Sequence, residues 1–531
     1  MTSTLERRQT SQKDDSGDFQ TPPLLAGQIV DVIRRKGIQY KAAIEPTCGV
    51  GNILFAAADG LPDLEMALGI EINPEYVETA SKRRGNVAVE VLNGNFFELN
   101  FAAVTAHLAK PYIFIGNPPW VTNAAVGQLR SPTPSKQESE TLPASEVKAL
   151  NLPRKENFTH LSGFDAMTGK SNFDISEWIM LRLLEAVTGT ANACAMLIKT
   201  SVARKIVAHA ARMGLAVTDF ELYTIDAKRE FDVTVSACLF YFRGCPEDQA
   251  SYTFTAFADL SGRDPVEFTY ENGTFINDQA AYQRTQVYAR QEKKKGGWRS
   301  GIKHDAAKVM ELRRVGRQLL TAEGVPLDIE PTLLYPFLKS SDIAKGNTSP
   351  RIFTIVTQSF IGEDTEMIRS NQPLTWAYLE KNLEAFDSRK SSIYKDKPPF
   401  SIFGVGKYSF ALYKIAISGL YKRLKFTLLE PLDGKCIMVD DTCYFLGFNS
   451  RQVALIYLSA LESNAAREFF ESRIEWDEKR PIKKDILENF NIELFIQTNS
   501  AEIRARSIER GVLASEFDAW FTNSAEVRLL I

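Results

Sequence analysis

The sequence of 531 residues has little cysteine and histidine, the side chains that most often build disulfide frameworks or hold structural zinc. Its six cysteines are too few for a disulfide scaffold, none of them form a CxxC pair, and only four histidines are present. A zinc site of familiar spacing is therefore not expected. This cysteine usage is typical of a protein from a reducing compartment.

Long apolar runs are also missing. No run approaches the ~20 residues that a helix needs to cross a membrane. The polar N-terminus, MTSTLERRQTSQKDDSG, lacks the apolar centre of a secretory signal peptide. We therefore expect a soluble, cytoplasmic protein with no membrane partner.

Neither sign of charge dominates the chain. Lys and Arg number 63 against 66 Asp and Glu, which gives a net charge of −3. This balance excludes a uniformly basic nucleic-acid coat but leaves local basic patches open. With 44% hydrophobic and 24% charged residues, the chain has ordinary globular composition and enough length for two or three domains.

Short apolar segments alternate with helical patterns between residues 18 and 243. Strands are predicted over 42–45, 67–72, 87–92, 112–116, 193–198 and 236–242, with a helix over 74–84. This alternation predicts an α/β fold with a doubly wound, mainly parallel sheet covered by helices on both faces. Because segments 220–225 and 236–242 have no long helix between them, we expect them to pair antiparallel at the sheet edge.

The domain organisation follows from composition. Residues 1–17 read as a disordered tail, 18–282 as one domain and 325–531 as a mixed α/β C-terminal domain, with a basic linker over 283–324. Residues 123–172 are rich in Ser, Pro, Lys and Asn, and we predict a long loop there, of a length that is usually either functional or disordered.

A glycine-containing turn follows the first predicted strand in the segment AAIEPTCGVG, residues 42–51. Gly49 and Gly51 let the backbone approach a ligand closely, and ligands of open α/β sheets bind at the carboxyl ends of the strands. Glu71 ends the second strand, where an acid can accept hydrogen bonds from ribose hydroxyls. The third strand ends in GNFF, where an adenine ring could lie against Phe96 or Phe97.

The fourth strand runs directly into Asn117-Pro118-Pro119-Trp120. Two prolines restrict the backbone and remove two donors, so the Asn117 side-chain oxygen and the Pro118 carbonyl can act together as acceptors. Trp120 adds a flat apolar face. This arrangement suits an exocyclic amino group on a planar ring, although Asn-Pro-Pro is also a plausible turn after a strand.

The ordered set DFQTPP, EPTCGVG, GIEIN, GNFF and NPPW, residues 18–120, resembles class I S-adenosylmethionine-dependent amino-methyltransferases. It is similar in particular to the N6-adenine DNA methyltransferases of gamma motif order, of the restriction-modification type. The resemblance covers residues 18–243 by motif and the C-terminal domain by position. It implies a seven-stranded catalytic domain over 18–282 and a target recognition domain over 325–531.

The resemblance also implies roles for individual residues. Those near the S-adenosylmethionine would be Thr21 at the methionine carboxylate, Glu45, Thr47, Cys48, Gly49 and Gly51 around the methionine moiety, Glu71 at the ribose, and Asn95 and Phe96 at the adenine. Asn95 departs from the Asp that is usual in the family, but its amide oxygen remains an acceptor. For Cys48 a small buried spacer is the alternative interpretation.

The same resemblance also implies which residues would contact the target base. Asn117 and Pro118 would accept hydrogen bonds from the target amine, and Trp120 and Phe231 would stack on the two faces of a flipped adenine. For Phe231 a core aromatic is the alternative. The absence of a Pro-Cys dipeptide disfavours cytosine-C5 methylation. N4-cytosine methylation uses the same amine chemistry, and the family resemblance of the Asn favours adenine.

A basic stretch over 386–426 is the most distinctive part of the C-terminal domain. It holds nine Lys and Arg against two Asp, a local net charge of +7, with Tyr, Phe and Gly between them. Contacts to DNA phosphates would suit this composition. The candidates are Arg389, Lys390, Lys395, Lys407 and Lys414.

The sequence thus indicates a site-specific methyltransferase acting on adenine N6 in double-stranded DNA, in the nucleoid of a bacterium or archaeon. Double-stranded DNA is the expected partner, and the sequence leaves open whether there is also a separate cognate restriction endonuclease. Three alternatives stay open: a bifunctional restriction-modification enzyme, an RNA or protein amino-methyltransferase, and an inactive DNA-binding homologue.

Overall fold

The computed structural model describes residues 19–120, 175–290, 297–389, 391–476, 478 and 480–526. The tail over 1–17, the predicted loop over 123–172 and Lys390 lie outside these ranges. Two compact units divide between Phe275 and Ile276. Within the described ranges, no helix is long and apolar enough to cross a membrane.

The N-terminal unit alternates helices and strands. Its helices are α1 (Pro23–Arg34), α2 (Asn52–Gly60), α3 (Pro74–Ser81), α4 (Phe101–Thr105), α5 (Ile175–Val187), α6 (Thr200–Met213) and α7 (Ala227–Phe231). Its strands are β1 (Ala42–Glu45), β2 (Met66–Glu71), β3 (Ala88–Asn93), β4 (Tyr112–Gly116), β5 (Ala193–Lys199), β6 (Val217–Ile225), β7 (Ala237–Gly244), β8 (Thr253–Phe257), β9 (Val266–Glu271) and β10 (Thr274–Ile276).

These strands form one mixed sheet in the order β10-β9-β8-β6-β7-β5-β4-β1-β2-β3. Strands β1 to β5 are parallel, and β7 is antiparallel to both β5 and β6. The chain leaves β1 for β2 and β3 on one side and reaches β4 and β5 on the other. The order therefore reverses between β1 and β4, and in such sheets a ligand crevice opens at the carboxyl ends of the two strands.

Alternating side chains of the central strands enter two separate cores. Phe114 packs with α5 and α6 on one face of the sheet, whereas Ile113 and Ile115 pack with α1 and α2 on the other. Strands buried on both faces require nearly continuous apolar sequence, which YIFIG in β4 provides. The predicted helix-covered sheet is therefore present.

The sheet has ten strands, so the expected count of seven is wrong. Strands β6 and β7 pair antiparallel as predicted, but they are not at the edge, because β8 continues the sheet parallel to β6. The last two strands are joined through Asn272 and Gly273, which have φ angles of 51° and 82°. Asn-Gly is a strong hairpin signal that the sequence already contained.

The C-terminal unit mixes short strands and helices. Its strands are β11 (Arg299–Ser300), β12 (Glu311–Val315), β13 (Gln318–Leu320), β14 (Pro326–Leu327), β15 (Leu334–Leu338), β16 (Ile352–Ile355), β17 (Tyr413–Ser418), β18 (Thr427–Leu429), β19 (Met438–Val439) and β20 (Cys443–Phe448). Its helices are α8 (Gln279–Thr285), α9 (Ala307–Met310), α10 (Ser340–Lys345), α11 (Met367–Asn371), α12 (Pro373–Lys381), α13 (Leu383–Asp387), α14 (Arg451–Leu461), α15 (Asn464–Glu471), α16 (Lys484–Asn489), α17 (Ile492–Thr498), α18 (Ser500–Glu509) and α19 (Ala514–Glu526).

Two sheets organise this unit, a four-stranded one in the order β11-β20-β17-β18 and a six-stranded one in the order β14-β13-β12-β16-β15-β19. The four-stranded sheet packs its apolar side chains against the C-terminal helices, and the six-stranded sheet packs against α12 and α13. Each sheet thus has its own hydrophobic core.

The linker expected over 283–324 differs from the structure. The described part of that segment holds β11, α9, β12 and β13, and the boundary between units precedes it. Strand β12 exposes Arg313, Arg314 and Val315 while Leu312 is buried. Because exposed charged residues occupy such short strands, their composition is similar to that of a linker.

Glu330 caps helix α12 from outside the helix. Its carboxylate accepts hydrogen bonds from the backbone N–H groups of Leu374 and Thr375, both at 2.8 Å, and from the Thr375 hydroxyl at 2.7 Å. Burial raises the pKa of Glu330, but these hydrogen bonds outweigh it and lower the pKa to about 2. The ionised side chain therefore stabilises the folded state above its unfolded pKa of about 4.5.

We expect Glu330→Gln to lower the free energy of unfolding by roughly 1 kcal/mol at pH 7, as for the loss of a helix cap. A carboxyl with a lowered folded pKa loses its contribution as the pH falls. The difference from wild type should therefore shrink between about pH 4.5 and pH 2. Urea unfolding at pH 7 and pH 3 measures both values. The exposed Glu323→Gln is the matched control, and an equal deficit at both pH values would contradict the prediction.

Candidate active site

The corner formed by the Asn117-Pro118-Pro119-Trp120 segment lies at the reversal point of the sheet. Asn117 directly follows β4, and Glu45 ends the neighbouring strand β1. Gly116 stands between them, since a Cβ there would lie 3.2 Å from Glu45 Cγ. The parallel strand order therefore brings the glycine turn and the Asn-Pro-Pro-Trp segment to the same edge.

Two hydrogen bonds orient the amide of Asn117. Its nitrogen donates to the Phe19 carbonyl at 3.0 Å and to the Thr21 hydroxyl at 3.3 Å. Its Oδ1 atom is buried and has no hydrogen-bond partner among the described residues. Leaving a buried acceptor unsatisfied costs ~1–3 kcal/mol, so this oxygen is poised for a donor from a ligand.

The glycine turn adopts the backbone that its composition predicts. Gly49 and Gly51 have φ angles of 53° and 82°, in the left-handed region that favours glycine. A Cβ on Gly49 would lie only 2.4 Å from Oε1 of Gln20. That side chain accepts a hydrogen bond from the Val50 backbone N–H at 3.1 Å. The segment preceding α1 therefore lies directly on the turn.

Glu71 lies beside the turn, as its position at a strand end suggested. One carboxylate oxygen accepts from the Gly49 N–H and the other from the Asn73 N–H, each at 2.8 Å. Glu71 therefore joins the ends of β1 and β2 at the edge of the sheet where the glycine turn lies.

Glu45 is almost completely buried and places a carboxyl group at the site. Its Oε2 atom accepts a hydrogen bond from the Leu54 N–H at 2.8 Å. Burial raises the pKa of Glu45 well above its usual range, and the neighbouring charge of Glu71 adds to this effect. A cationic ligand beside this carboxyl would reverse part of the shift, because an opposite charge favours the ionised form.

Thr47 and Cys48 have different positions within the turn. The Thr47 hydroxyl is buried and has no hydrogen-bond partner among the described residues. The Cys48 thiol packs against β2, since a Cβ on Gly69 would lie 2.9 Å from its sulfur. Burial strongly raises the pKa of this thiol. The contacts of Cys48 are those of a small buried spacer.

The end of β3 differs in detail from the expectation. Asn95 accepts a hydrogen bond from the Phe97 N–H at 3.0 Å through its side-chain oxygen. The Phe96 ring is only 4% exposed and packs in the core, 4.9 Å from Phe101. The ring of Phe96 is therefore a core element. The half-buried Phe97 has its ring 4.7 Å from that of Trp178.

Three aromatic rings contact one another beside the corner. The Trp120 ring centroid lies 5.2 Å from Phe231 and 5.9 Å from Phe19, and the last two rings are also 5.9 Å apart. A base sandwiched between two rings needs about 7 Å, two stacking contacts of ~3.5 Å. Trp120 and Phe231 are thus brought together, but in direct contact with each other.

Sequence reasoning missed three residues of this site. Phe19 and Gln20 precede Thr21 directly and contact the aromatic cluster and the glycine turn. Lys199 ends β5, and its ammonium donates to the Trp120 carbonyl at 3.0 Å. The rule that parallel strands end at one edge could have found Lys199, because β5 neighbours β4.

The candidate DNA contacts separate into exposed and structural residues. Lys414 is 1% exposed, and its ammonium donates to the carbonyls of Ala411 and Ile437. Burial lowers its pKa to about 8. Arg389 lies over the Tyr394 ring and donates to the Ser401 carbonyl. Both cations support the fold. Because Lys414 is buried, the expectation that it contacts phosphate is wrong, whereas the contact expected of the half-buried Arg389 stays a prediction.

Lys395 and Lys407 are exposed. They remain candidates for phosphate contacts.

No family model matches the chain. It is 39% identical over 492 residues to the Type II methyltransferase M.NspV of Nostoc sp. (strain ATCC 29411 / PCC 7524), covering 91% of this chain and 97% of that protein.

Two solved structures match over most of this chain, and the first of them is similar in fold. The Type IIL restriction-modification enzyme MmeI, solved in complex with DNA, superposes with a TM-score of 0.53 at 12% identity over 88% of this chain. The chain spans 64% of the length of that enzyme. The type IIG restriction endonuclease BpuSI gives a TM-score of 0.36 at 14% identity, over 88% of this chain and 58% of that one. The sequence relationship to M.NspV shows that the chain belongs to the Type II methyltransferases, and S-adenosylmethionine is its methyl donor.

Proposed function

We propose that the protein methylates N6 of adenine at a specific site in double-stranded DNA, as the modification component of a restriction-modification system. The observation that carries this proposal is the buried, unpartnered Oδ1 of Asn117 at the sheet's reversal point. A site that holds an acceptor there without a donor suits a substrate amine.

The residues around the glycine turn fit S-adenosylmethionine. This cofactor supplies an electrophilic methyl group on a positively charged sulfur. The buried Thr47 hydroxyl lacks a partner among the described residues. Gly49 and Gly51 have no side chain that would keep a ligand away from the backbone of the turn. Glu45 offers a carboxylate to a cationic ligand and Glu71 an acceptor to ribose hydroxyls.

The substrate amine would be held by two acceptors. Asn117 Oδ1 and the Pro118 carbonyl would each accept a hydrogen bond from one N–H of an exocyclic amino group. The lone pair of the nitrogen would then be free to attack the methyl group. Neither Pro118 nor Pro119 has an N–H that competes for these acceptors. Because the Asn117 amide is already oriented by Phe19 and Thr21, positioning accounts for the catalysis.

An adenine inside a duplex cannot reach this corner, so the base must be flipped out of the helix at a cost of a few kcal/mol. Stacking on an aromatic side chain is worth about 1–3 kcal/mol per base and can offset that cost. Trp120 and Phe231 would have to separate to admit the base between them. The ring centroids of the two residues are 5.2 Å apart, less than the ~7 Å that a stacked base between them requires.

The alternatives differ in their product. N4-methylcytosine, methylated RNA and methylated protein are chemically distinct from N6-methyladenine. Incubation with labelled S-adenosylmethionine and mixed plasmid DNA, followed by nucleoside mass spectrometry, separates them. Sequencing of the modified DNA then gives the recognised site. Cleavage of unmodified plasmid would indicate a bifunctional enzyme.

We expect Asn117→Ala to lower kcat for methyl transfer to DNA by about 100- to 1,000-fold. This is the magnitude found when one preorganised polar group is removed from an active site. Cofactor affinity should fall by a much smaller factor, because Asn117 makes no hydrogen bond to the glycine turn within the described residues and reaches the expected cofactor residues only through Thr21. Methyl incorporation under single-turnover conditions and isothermal titration with the cofactor measure the two effects.

The exposed Asn86→Ala serves as the matched control for this experiment and should retain wild-type kcat. Undiminished transfer by Asn117→Ala would refute the proposed role of the amide.

We expect Glu45→Gln to change both the pH dependence of stability and the affinity for the cofactor. The amide keeps an oxygen for the Leu54 N–H, but it removes a carboxyl whose pKa is raised by burial. A raised folded pKa destabilises the folded state as the pH rises above the unfolded pKa of about 4.5. The Tm of wild type should therefore fall more between pH 5 and pH 9 than that of the variant.

The same variant should bind S-adenosylmethionine more weakly, because it no longer offers a negative charge to a cationic ligand. Thermal unfolding with and without cofactor measures both effects. Glu90→Gln, which changes an exposed carboxyl on β3, is the matched control. Wild-type affinity in Glu45→Gln would show that this carboxyl does not contact the cofactor.

A further inference from the structure

A basic groove of about 440 Å³ lies within the C-terminal unit and contains none of the cations named from the sequence. One side is the turn between β17 and β18, which carries Lys422, Arg423 and Lys425. The other side includes Arg467 of α15 and the half-buried Trp476. All ten residues that line the groove belong to the same unit.

The turn between the strands is held firmly at its base. The Gly419 N–H donates to the Thr442 carbonyl at 2.9 Å, and a Cβ on Gly419 would lie 2.9 Å from the same oxygen. The Ser418 hydroxyl accepts from the Leu420 N–H at 3.3 Å and from the Tyr421 N–H at 3.4 Å. The cations that follow are therefore presented on an anchored segment.

Two of these cations have no acidic partner. Lys422 and Arg423 are exposed, and neither makes an ion pair with a described residue. The ammonium of Lys425 donates to the Lys345 carbonyl at 3.1 Å and makes no ion pair within the described part of the chain. The turn thus places three adjacent positive charges at the groove in a chain whose net charge is −3.

The carboxylates of the groove are already paired. Glu471 accepts from Arg467 at 3.4 Å, and Glu462 accepts from Arg510 at 2.5 Å. Neither acid therefore neutralises the turn. An anion entering the groove would meet Lys422 and Arg423 without first displacing an internal ion pair.

We propose that this groove binds backbone phosphates of the duplex DNA substrate through Lys422 and Arg423, with Trp476 beside them. The proposal rests on the proposed function and names the surface that holds its substrate. Arg and Lys bind phosphate oxygens as charge-assisted donors. The groove is open, and polar atoms dominate its lining, whereas small-molecule sites are mostly apolar and enclosed. A polymer phosphate is thus favoured over a free nucleotide.

The test is DNA binding by Lys422→Gln/Arg423→Gln in the full chain, measured from 50 to 300 mM salt. Each phosphate contact contributes about 0.9 to the slope of log K against log salt. Losing two contacts should lower the slope by about 2 and weaken binding at least tenfold at low salt. The control Arg317→Gln/Lys381→Gln removes the same charge from exposed positions outside the groove and should leave the slope unchanged.

The outcomes distinguish this proposal from the proposed function. If wild type methylates DNA and the groove variant keeps the wild-type affinity and slope, the groove proposal is refuted and the proposed function stands. An equal loss in the control variant would also refute it, since net charge alone would then explain the effect. If wild type neither binds nor methylates duplex DNA, the proposed function is refuted, and the groove proposal that rests on it is refuted as well.

Competition with ATP and inorganic phosphate separates the two sources of phosphate. We expect no binding of either at 1 mM and no effect of the double substitution on S-adenosylmethionine affinity. If wild type binds ATP and the groove variant loses this binding but not DNA binding, the groove is a nucleotide site and the proposal is refuted.

Discussion

The active site depends on how a single buried amide is oriented. The nitrogen of Asn117 donates to a carbonyl and a hydroxyl of the segment that precedes α1, so its oxygen has to face the other way. That oxygen is buried and has no partner among the described residues. A buried acceptor without a donor is costly, and in a methyltransferase the cost is accounted for if a substrate amine supplies the donor.

The sheet provides the setting for this amide. Reversal of strand order between β1 and β4 brings the end of one strand, with Glu45, next to the start of the Asn-Pro-Pro-Trp segment. The glycine turn and Glu71 are joined by a backbone-to-carboxylate hydrogen bond. A carboxyl with a raised pKa and an unpaired hydroxyl lie in the same turn region, which is typical of a site that awaits a charged ligand.

The two units carry their polar groups in different ways. In the N-terminal unit, buried acceptors converge on one edge of one sheet. In the C-terminal unit, the basic stretch divides into cations that support the fold, such as Lys414, and cations that remain exposed, such as Lys422. A lysine whose ammonium is satisfied by two carbonyls is not available to a phosphate, whatever its neighbours in sequence. Charge density along the chain can therefore locate a basic stretch but cannot show which of its cations are available to a ligand.

The sequence by itself determined the order of strands β1 to β7 and the glycine turn after β1, because buried strands require apolar runs and left-handed turns favour glycine. It also indicated the Asn-Pro-Pro-Trp corner and Glu71, since both follow predicted strands directly. Only the tertiary structure decided that Phe96 belongs to the core, that Phe19 and Lys199 belong to the site, and that Lys414 is buried. The exposure of a side chain depends on residues that are distant in the chain, and local composition does not contain that information.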